Sequence, residues 1–213
     1  MIIAVDGPAG SGKSTVARAL ATALSLRHID TGAMYRALAL KALRRGLDLE
    51  DEGAVVGLLP DTSIELASDR VLLDGEEVTG EIRDRKVTSA ASVIAEHPGV
   101  RRWMVTNQRR IVKEEPSGAV VEGRDIGTVV LPNADLKVFL TAAHEERVRR
   151  RAVETGTTEQ EIVEDLISRD DRDTRRSLSP LRAAEDAITL DSTSLSVQQV
   201  LQQVLQIIGE RSR

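Results

Sequence analysis

The chain opens MIIAVDGPAGSGKST, an apolar run, then a glycine-rich stretch, then a helical pattern. That order constrains the rest. Met1 to Asp6 reads as a short buried strand, and Lys13 to Leu24 has apolar residues at helical spacing. Between strand and helix, Gly7, Pro8, Ala9, Gly10, Ser11, Gly12, Lys13, Ser14 and Thr15 match G-x-x-x-x-G-K-[ST] in the context that motif requires. Gly7, Gly10 and Gly12 permit a loop whose backbone N–H groups wrap a phosphate. The helix that starts there turns its positive end to the anion. Lys13 reaches the outer phosphates as a point charge. The Ser14 hydroxyl suits Mg²⁺, and Thr15 suits an inner phosphate. The stretch predicts a nucleoside triphosphate bound with Mg²⁺.

The pattern continues in the same style. Leu26 to Asp30, Ala119 to Glu122, Leu136 to Thr141 and Ala187 to Leu190 read as further strands. Helical spacing runs over Ala33 to Gly46, Asp84 to Glu115 with a break near His97-Pro98-Gly99, residues 144–153, and Ser196 to Ile208. Thr158 with Glu161 forms a capping box that opens a helix running into RDDRDTRR. Residues 62–79 alternate instead, with Ser68-Asp69 and Asp74-Gly75 as turns, and predict a small antiparallel insert. Five apolar strands joined by helices predict an α/β fold, a parallel sheet covered on both faces. Ligands then bind beyond the carboxyl ends of the strands. A chain of 213 residues suits one such domain, 1–213.

Composition removes several classes of function. Phe139, Tyr35 and Trp103 are the only aromatic residues, so the core is aliphatic and no base-stacking surface is available. Net charge is −5, unlike a domain that neutralises a nucleic-acid backbone. No cysteine is present, so disulfides and thiolate metal sites are excluded. No apolar run reaches membrane-spanning length, and the chain opens on a core strand rather than a leader; a cytoplasmic protein is expected. A guanine-reading switch would carry an N-K-x-D motif, and none occurs. A small phosphotransferase fits the length, and it needs a second anion site for the acceptor.

Candidates for that site follow the other strands. DTGAMYR supplies Thr31 and Arg36, and EGRDIG supplies Arg124 and Asp125. An arginine at a strand end is costly to bury unless an anion meets it. RDDRDTRR, residues 169–176, then becomes legible. On a helix, Arg169, Arg172, Asp173 and Arg176 share a net positive face, while Asp170 and Asp171 turn away. The basic helix before it offers Arg147, Arg149, Arg150 and Arg151, and the polar VETGTTEQ between them reads as a loop. Residues 145–176 are expected to act as a lid over phosphates. ATP carries about −4 and a nucleoside monophosphate nearly −2, so several arginines must supplement Mg²⁺ and Lys13.

GPAGSGKST, DTGAMYR, EGRDIGTVV and RDDRDTRR together resemble bacterial cytidylate kinases, from Ile3 to about Val204. The resemblance implies a P-loop kinase fold, with residues 61–83 as the antiparallel part of a monophosphate-binding insert. It implies transfer of the γ-phosphoryl group of ATP to CMP or dCMP. By motif, Thr31, Arg36, Ser92, Arg101, Arg124, Asp125, Arg169, Asp173 and Arg176 would bind CMP. Arg36 and Arg124 would clamp its phosphate, and Ser92, Arg101 and Asp125 would read cytosine. Lys13, Arg124, Arg169 and Arg172 would be catalytic. Thr31 stands where the family often has Ser, and Glu122 where it often has Asp; no role is carried onto Glu122. Small monophosphate kinases imply, by analogy, a monomer.

No histidine sits in these motifs, which suits an acceptor phosphate that is already an anion and needs no general base. His28, His97 and His144 are expected to be structural or surface residues. Read without the resemblance, the residues leave open another small kinase on this scaffold, for adenylate, shikimate or dephospho-coenzyme A, or a nucleotide-gated switch.

Overall fold

Apolar β-branched residues in a run with no polar face are stable only when both faces are covered. In the computed structural model, which describes residues 1–67, 69–176 and 178–211, that is the position of Ile2–Asp6 (β1), whose Ile3, Ala4 and Val5 are wholly buried. The glycine loop leads into Lys13–Leu24 (α1) and Arg27–Asp30 (β2). Then come Thr31–Arg44 (α2), Glu52–Val56 (α3), Ile64–Leu66 (β3), Val71–Leu73 (β4), Glu76–Glu77 (β5), Arg85–Ile94 (α4) and Pro98–Lys113 (α5). Ala119–Glu122 (β6), Leu136–Thr141 (β7), His144–Thr155 (α6), Glu159–Arg175 (α7), Ile188–Asp191 (β8) and Val197–Arg211 (α8) complete the order.

Two compact units result: residues 1–29 with those from 115 onward, and residues 30–114. The first unit is built on a five-stranded parallel sheet of order β2-β6-β1-β7-β8, flanked by helices. Ile3 pairs in register with Val120 and Leu136, and Val5 with Glu122 and Val138. Val16 and Leu20 of α1 and Val200 and Val204 of α8 close one hydrophobic cluster with Ile3, Val5, Val138 and Leu140. Helices α6 and α7 pack Val148 and Ala152 against Ile162 and Leu166, with Ala9 of the glycine loop in the same cluster. Thr158 and Glu161 form the expected capping box. The helix ends at Arg175, so Arg176 follows in extended conformation rather than on a further helical turn.

The second unit holds the alternating segment. It is a three-stranded antiparallel sheet, β3-β4-β5. Asp74 and Gly75 both have positive φ, 52° and 84°, the signature of the two-residue turn that matches strand twist. Asp74 also accepts the Ser63 N–H at 2.8 Å, which pins the start of the sheet. Of the expected Ser68-Asp69 turn, Ser68 lies outside the described residues. Lys41 of α2 is buried and pairs with Asp74 at 2.6 Å. The break in the long helical stretch falls where expected, with Pro98 in the first turn of α5. Trp103 of α5 is partly buried, and Tyr35 of α2 lies beneath the Arg101 guanidinium, 5.9 Å from ring centre.

Sequence periodicity misses α3, the single 3₁₀ turns at Leu59–Asp61 and Glu81–Arg83, and a five-residue π-helical turn at Ile126–Val130. All are too short to show a period. Helix α2 starts at Thr31, two residues before the expected Ala33, because Asp30 caps it by accepting from the Ala33 N–H at 3.0 Å. Leu20 is fully buried between α1 and the sheet, so Leu20→Ala is expected to cost about 2–5 kcal/mol in urea unfolding, with the slope unchanged.

Candidate active site

The glycine loop ends β1 with backbone only glycine adopts easily. Gly7 has φ 147°, and a Cβ there would lie 2.1 Å from the Leu140 carbonyl oxygen. Gly12, the N-cap of α1, has φ 89° and offers no side-chain cap, and no acidic residue occupies the first turn. The amino end of α1 is therefore left for an anion. The Lys13 Nζ donates to the Pro8 carbonyl at 2.6 Å, curling back over the loop. Burial, and the Arg124 guanidinium close by, lower the Lys13 ammonium to about 7.

Two acids at strand ends shape the floor. Asp6, last residue of β1, accepts from the Ile126 and Gly127 N–H groups at 2.8 and 2.7 Å. Burial raises its carboxyl to about 6, against those two hydrogen bonds. Asp6 thus fixes the turn that follows Arg124-Asp125. Glu122, last residue of β6, is buried; it accepts from the Ser14 hydroxyl at 2.7 Å and meets His28 Nε2 at 2.9 Å. Neither acid was given a role from sequence. The available signal was position: each is a carboxylate closing an otherwise apolar strand beside the glycine loop.

Arg124 and α7 supply the cationic wall. Arg124 Nε donates to Asp173 Oδ2 at 2.8 Å, and Arg176 donates to the other oxygen of the same carboxylate. Burial opposes the Arg124 charge, but Asp173 outweighs it and holds the guanidinium above its usual range. Burial would raise Asp173, yet Arg124 and Arg176 hold it below the usual carboxylate range. Burial lowers Arg169 to about 10, with Arg124 and Arg151 adding to the effect and Asp165 opposing it. Arg172 is half-buried on the same helix. Lys13, Arg124, Arg169, Asp173 and Arg176 are thus brought together within the first unit, with Glu122, Asp6 and Asp165 also close to these cations. Asp125 is buried beside Asp6, at the start of the π-helical turn.

Other expectations need correction. Asp170 does not turn away: Arg147 donates to its Oδ2 at 2.7 Å, because α7 packs that side of the helix against α6. Asp171 is exposed, as expected. Arg149 turns outward onto Glu146, which also accepts from Arg150. His28 bonds Glu122, and His97 bonds the Leu49 carbonyl at 2.7 Å.

The second unit places its four candidates as follows. Thr31 is buried at the first position of α2. Arg36 lies one turn on, tied to Asp30 at 2.7 Å, with its Nε buried and without a hydrogen-bond partner among the described residues. Ser92 of α4 is buried, and its hydroxyl has no hydrogen-bond partner among the described residues. Arg101 is buried over Tyr35, with one guanidinium nitrogen 3.3 Å from the Ala95 carbonyl.

The donor set fits Mg²⁺ in one manner. Among the described residues no cluster of three or more His, Cys, Asp or Glu could cage a metal ion. Ser14 with the Glu122 carboxylate on its hydroxyl instead suits an ion that arrives on phosphates and keeps most of its waters.

A cytidylate kinase family model matches residues 3–210 of the chain. The chain is 49% identical to a cytidylate kinase of Geobacillus kaustophilus (strain HTA426), over 98% of this chain and 96% of that protein. It is 47% identical to a cytidylate kinase of Geobacillus sp. (strain WCH70), with the same coverage. A gluconokinase structure from Sinorhizobium meliloti 1021 shares the fold, with a TM-score of 0.51 at 16% identity, over 100% of this chain and 97% of that one.

Lys13 gives a pH test. With its ammonium lowered to about 7, it is mostly neutral at pH 8 and charged at pH 6. Bound phosphates favour the charged form, so ATP binding at pH 8 is expected to take up about one proton, and at pH 6 almost none. Calorimetry in two buffers of different ionisation enthalpy reads this directly; equal heats at pH 8 would contradict it.

Proposed function

The chain belongs to the cytidylate kinase family, and from that premise we propose that it transfers the γ-phosphoryl group of ATP to CMP or dCMP, giving ADP and CDP or dCDP. The observation that carries the reading at the level of residues is the gathering of Lys13, Arg124, Arg169 and Arg176 beside the glycine loop, with Asp173 accepting from both Arg124 and Arg176 and Asp165 paired with Arg169. A switch protein needs one phosphate cradle; arginines gathered beside that cradle suit a second phosphate as well.

The glycine loop, Gly7 to Thr15, holds the donor phosphates through backbone N–H groups and the start of α1. Mg²⁺ would be held by Ser14 with Glu122 behind it, and when bound it neutralises charge on the outer phosphates. Lys13 screens the bridging and terminal oxygens. Arg124, Arg169 and Arg172 stabilise charge on the group in flight, in a loose, in-line transfer. The acceptor phosphate attacks as an anion, so no residue need remove a proton. Residues 145–176 form the proposed lid, whose closure excludes water and limits hydrolysis.

The CMP contacts proposed are Thr31, Arg36, Ser92, Arg101, Arg124, Asp125, Arg169, Asp173 and Arg176. Asp30 holds Arg36 by one nitrogen and leaves its Nε to be satisfied by a ligand. The Ser92 hydroxyl, buried and unpartnered among the described residues, is suited to a base edge for the same reason. A carboxylate at Asp125 accepts from the exocyclic amine of cytosine, whereas uracil presents an oxygen there. By analogy with small monophosphate kinases, a monomer is proposed. Among the described residues no helix is long and apolar enough to cross a membrane; the proposed compartment is the cytoplasm, where both substrates circulate.

A coupled ADP-release assay with CMP, dCMP, UMP, AMP, GMP and shikimate tests the reading. Turnover with CMP and dCMP is expected, with UMP down by roughly 10⁴, the discrimination a site built around a hydrogen bond reaches. Asp125→Asn is expected to narrow that gap. Equal turnover of CMP and UMP by the unaltered enzyme would discard the account of base choice.

A further inference from the structure

The carbonyl side of the glycine loop is held from outside the loop. Arg147 NH1 donates to the Ala9 carbonyl at 3.1 Å. The single Ser192 hydroxyl proton lies between two acceptors, the Thr141 carbonyl at 2.9 Å and the Ser11 carbonyl at 3.1 Å; Arg150 NH1 reaches the Ser11 oxygen at 3.4 Å while its other terminal nitrogen holds the Ser192 carbonyl at 2.6 Å. A trans peptide is planar, and its C=O and N–H point opposite ways. A carbonyl of Ala9 drawn toward α6 therefore aims the Gly10 N–H to the other side. A carbonyl of Ser11 drawn toward Arg150 and Ser192 does the same for Gly12. Contact with α6 is close: a Cβ at Gly10 would lie 2.9 Å from the Arg147 carbonyl oxygen.

The same Arg147 nitrogen that holds Ala9 also donates to Asp170 on α7, at 2.7 Å. The other terminal nitrogen, NH2, faces His144 Nδ1 at 3.4 Å. Arg147 is 8% exposed, and its Nε and the Asp170 Oδ1 are buried without a hydrogen-bond partner among the described residues. An apolar pair would stabilise α6 against α7 without leaving two polar atoms unsatisfied. Stability alone is thus a poor reason for this pair. We infer that Arg147 is a positioning residue: it orients the phosphate-binding N–H groups of the loop through the Ala9 carbonyl, and is itself oriented by Asp170 of α7. This rests on the reading that the loop binds ATP phosphates, and it makes the placement of α7 a condition for strong phosphate binding.

The test titrates the full chain with Mg²⁺-ATP and, separately, with Mg²⁺ and inorganic tripolyphosphate, with no acceptor present. Arg147→Met is expected to weaken both ligands by the same factor, about tenfold, since one charged hydrogen bond to the loop is lost. Asp170→Asn is expected to weaken both by a smaller factor, and the double variant to be no weaker than Arg147→Met. Loss of ATP affinity with tripolyphosphate unchanged would mean that Arg147 touches the nucleoside, and would overturn the inference. So would additive losses in the double variant, or a lowered melting temperature with both affinities intact. If Arg147→Met does not fold, Asp170→Asn decides, and unchanged tripolyphosphate affinity overturns the inference. The choice of acceptor does not enter, so failure of the CMP reading would leave this result standing.

Discussion

Like charges held close together and away from water raise the free energy of a fold until an anion arrives. Lys13, Arg124, Arg169 and Arg176 approach that state, with Asp173 between Arg124 and Arg176 and Asp165 beside Arg169. Much of the first unit can be read as what it takes to keep them there. The parallel sheet brings Asp6 and Glu122 to adjacent strand ends beside the loop. The α6–α7 cluster of Val148, Ala152, Ile162 and Leu166, with the Arg147–Asp170 pair beside it, holds the arginine-bearing helix in place. Binding energy from phosphates can then serve catalysis, because the cost of gathering the cations has been met by folding.

The strands and the long helices were legible because burial on both faces, or on one stripe, leaves a pattern in the residues themselves. β6 and β7 have the bounds read from AVVE and LKVFLT, and α1 those read from KSTVARALATAL. The glycine loop was legible because its chemistry is local. What could not be read depends on partners distant in sequence. Asp170 lies on the side that an isolated helix would give to solvent, and only the packing of α6 turns it inward. Asp6 owes its part to amides 120 and 121 residues away. The π-helical turn at Ile126–Val130 has no period to detect, and it sits directly after Asp125, where an irregular backbone lets a side chain be aimed.

RDDRDTRR began as seven charges in eight positions, compatible with an ordinary solvated helix face. The structure divides it. Asp173 and Arg176 belong to the buried cluster, Asp170 to α6, and Asp171 and Arg175 to a long surface pair at 3.8 Å. A mixed-charge run can therefore hold three kinds of electrostatics at once, and burial separates them. The exposed pair contributes little. The buried pairs contribute geometry.

The scarcity of aromatic rings gives the molecule an optical property. Trp103 and Tyr35 both lie between residues 30 and 114, and Phe139 in β7 is the one Phe, Tyr or Trp of the unit that bears the parallel sheet. Intrinsic tryptophan emission thus originates wholly in the unit that carries Thr31, Arg36, Ser92 and Arg101. The phosphate-loop unit is dark at those wavelengths. The native chain is a single-colour probe of one half of itself, with no label attached.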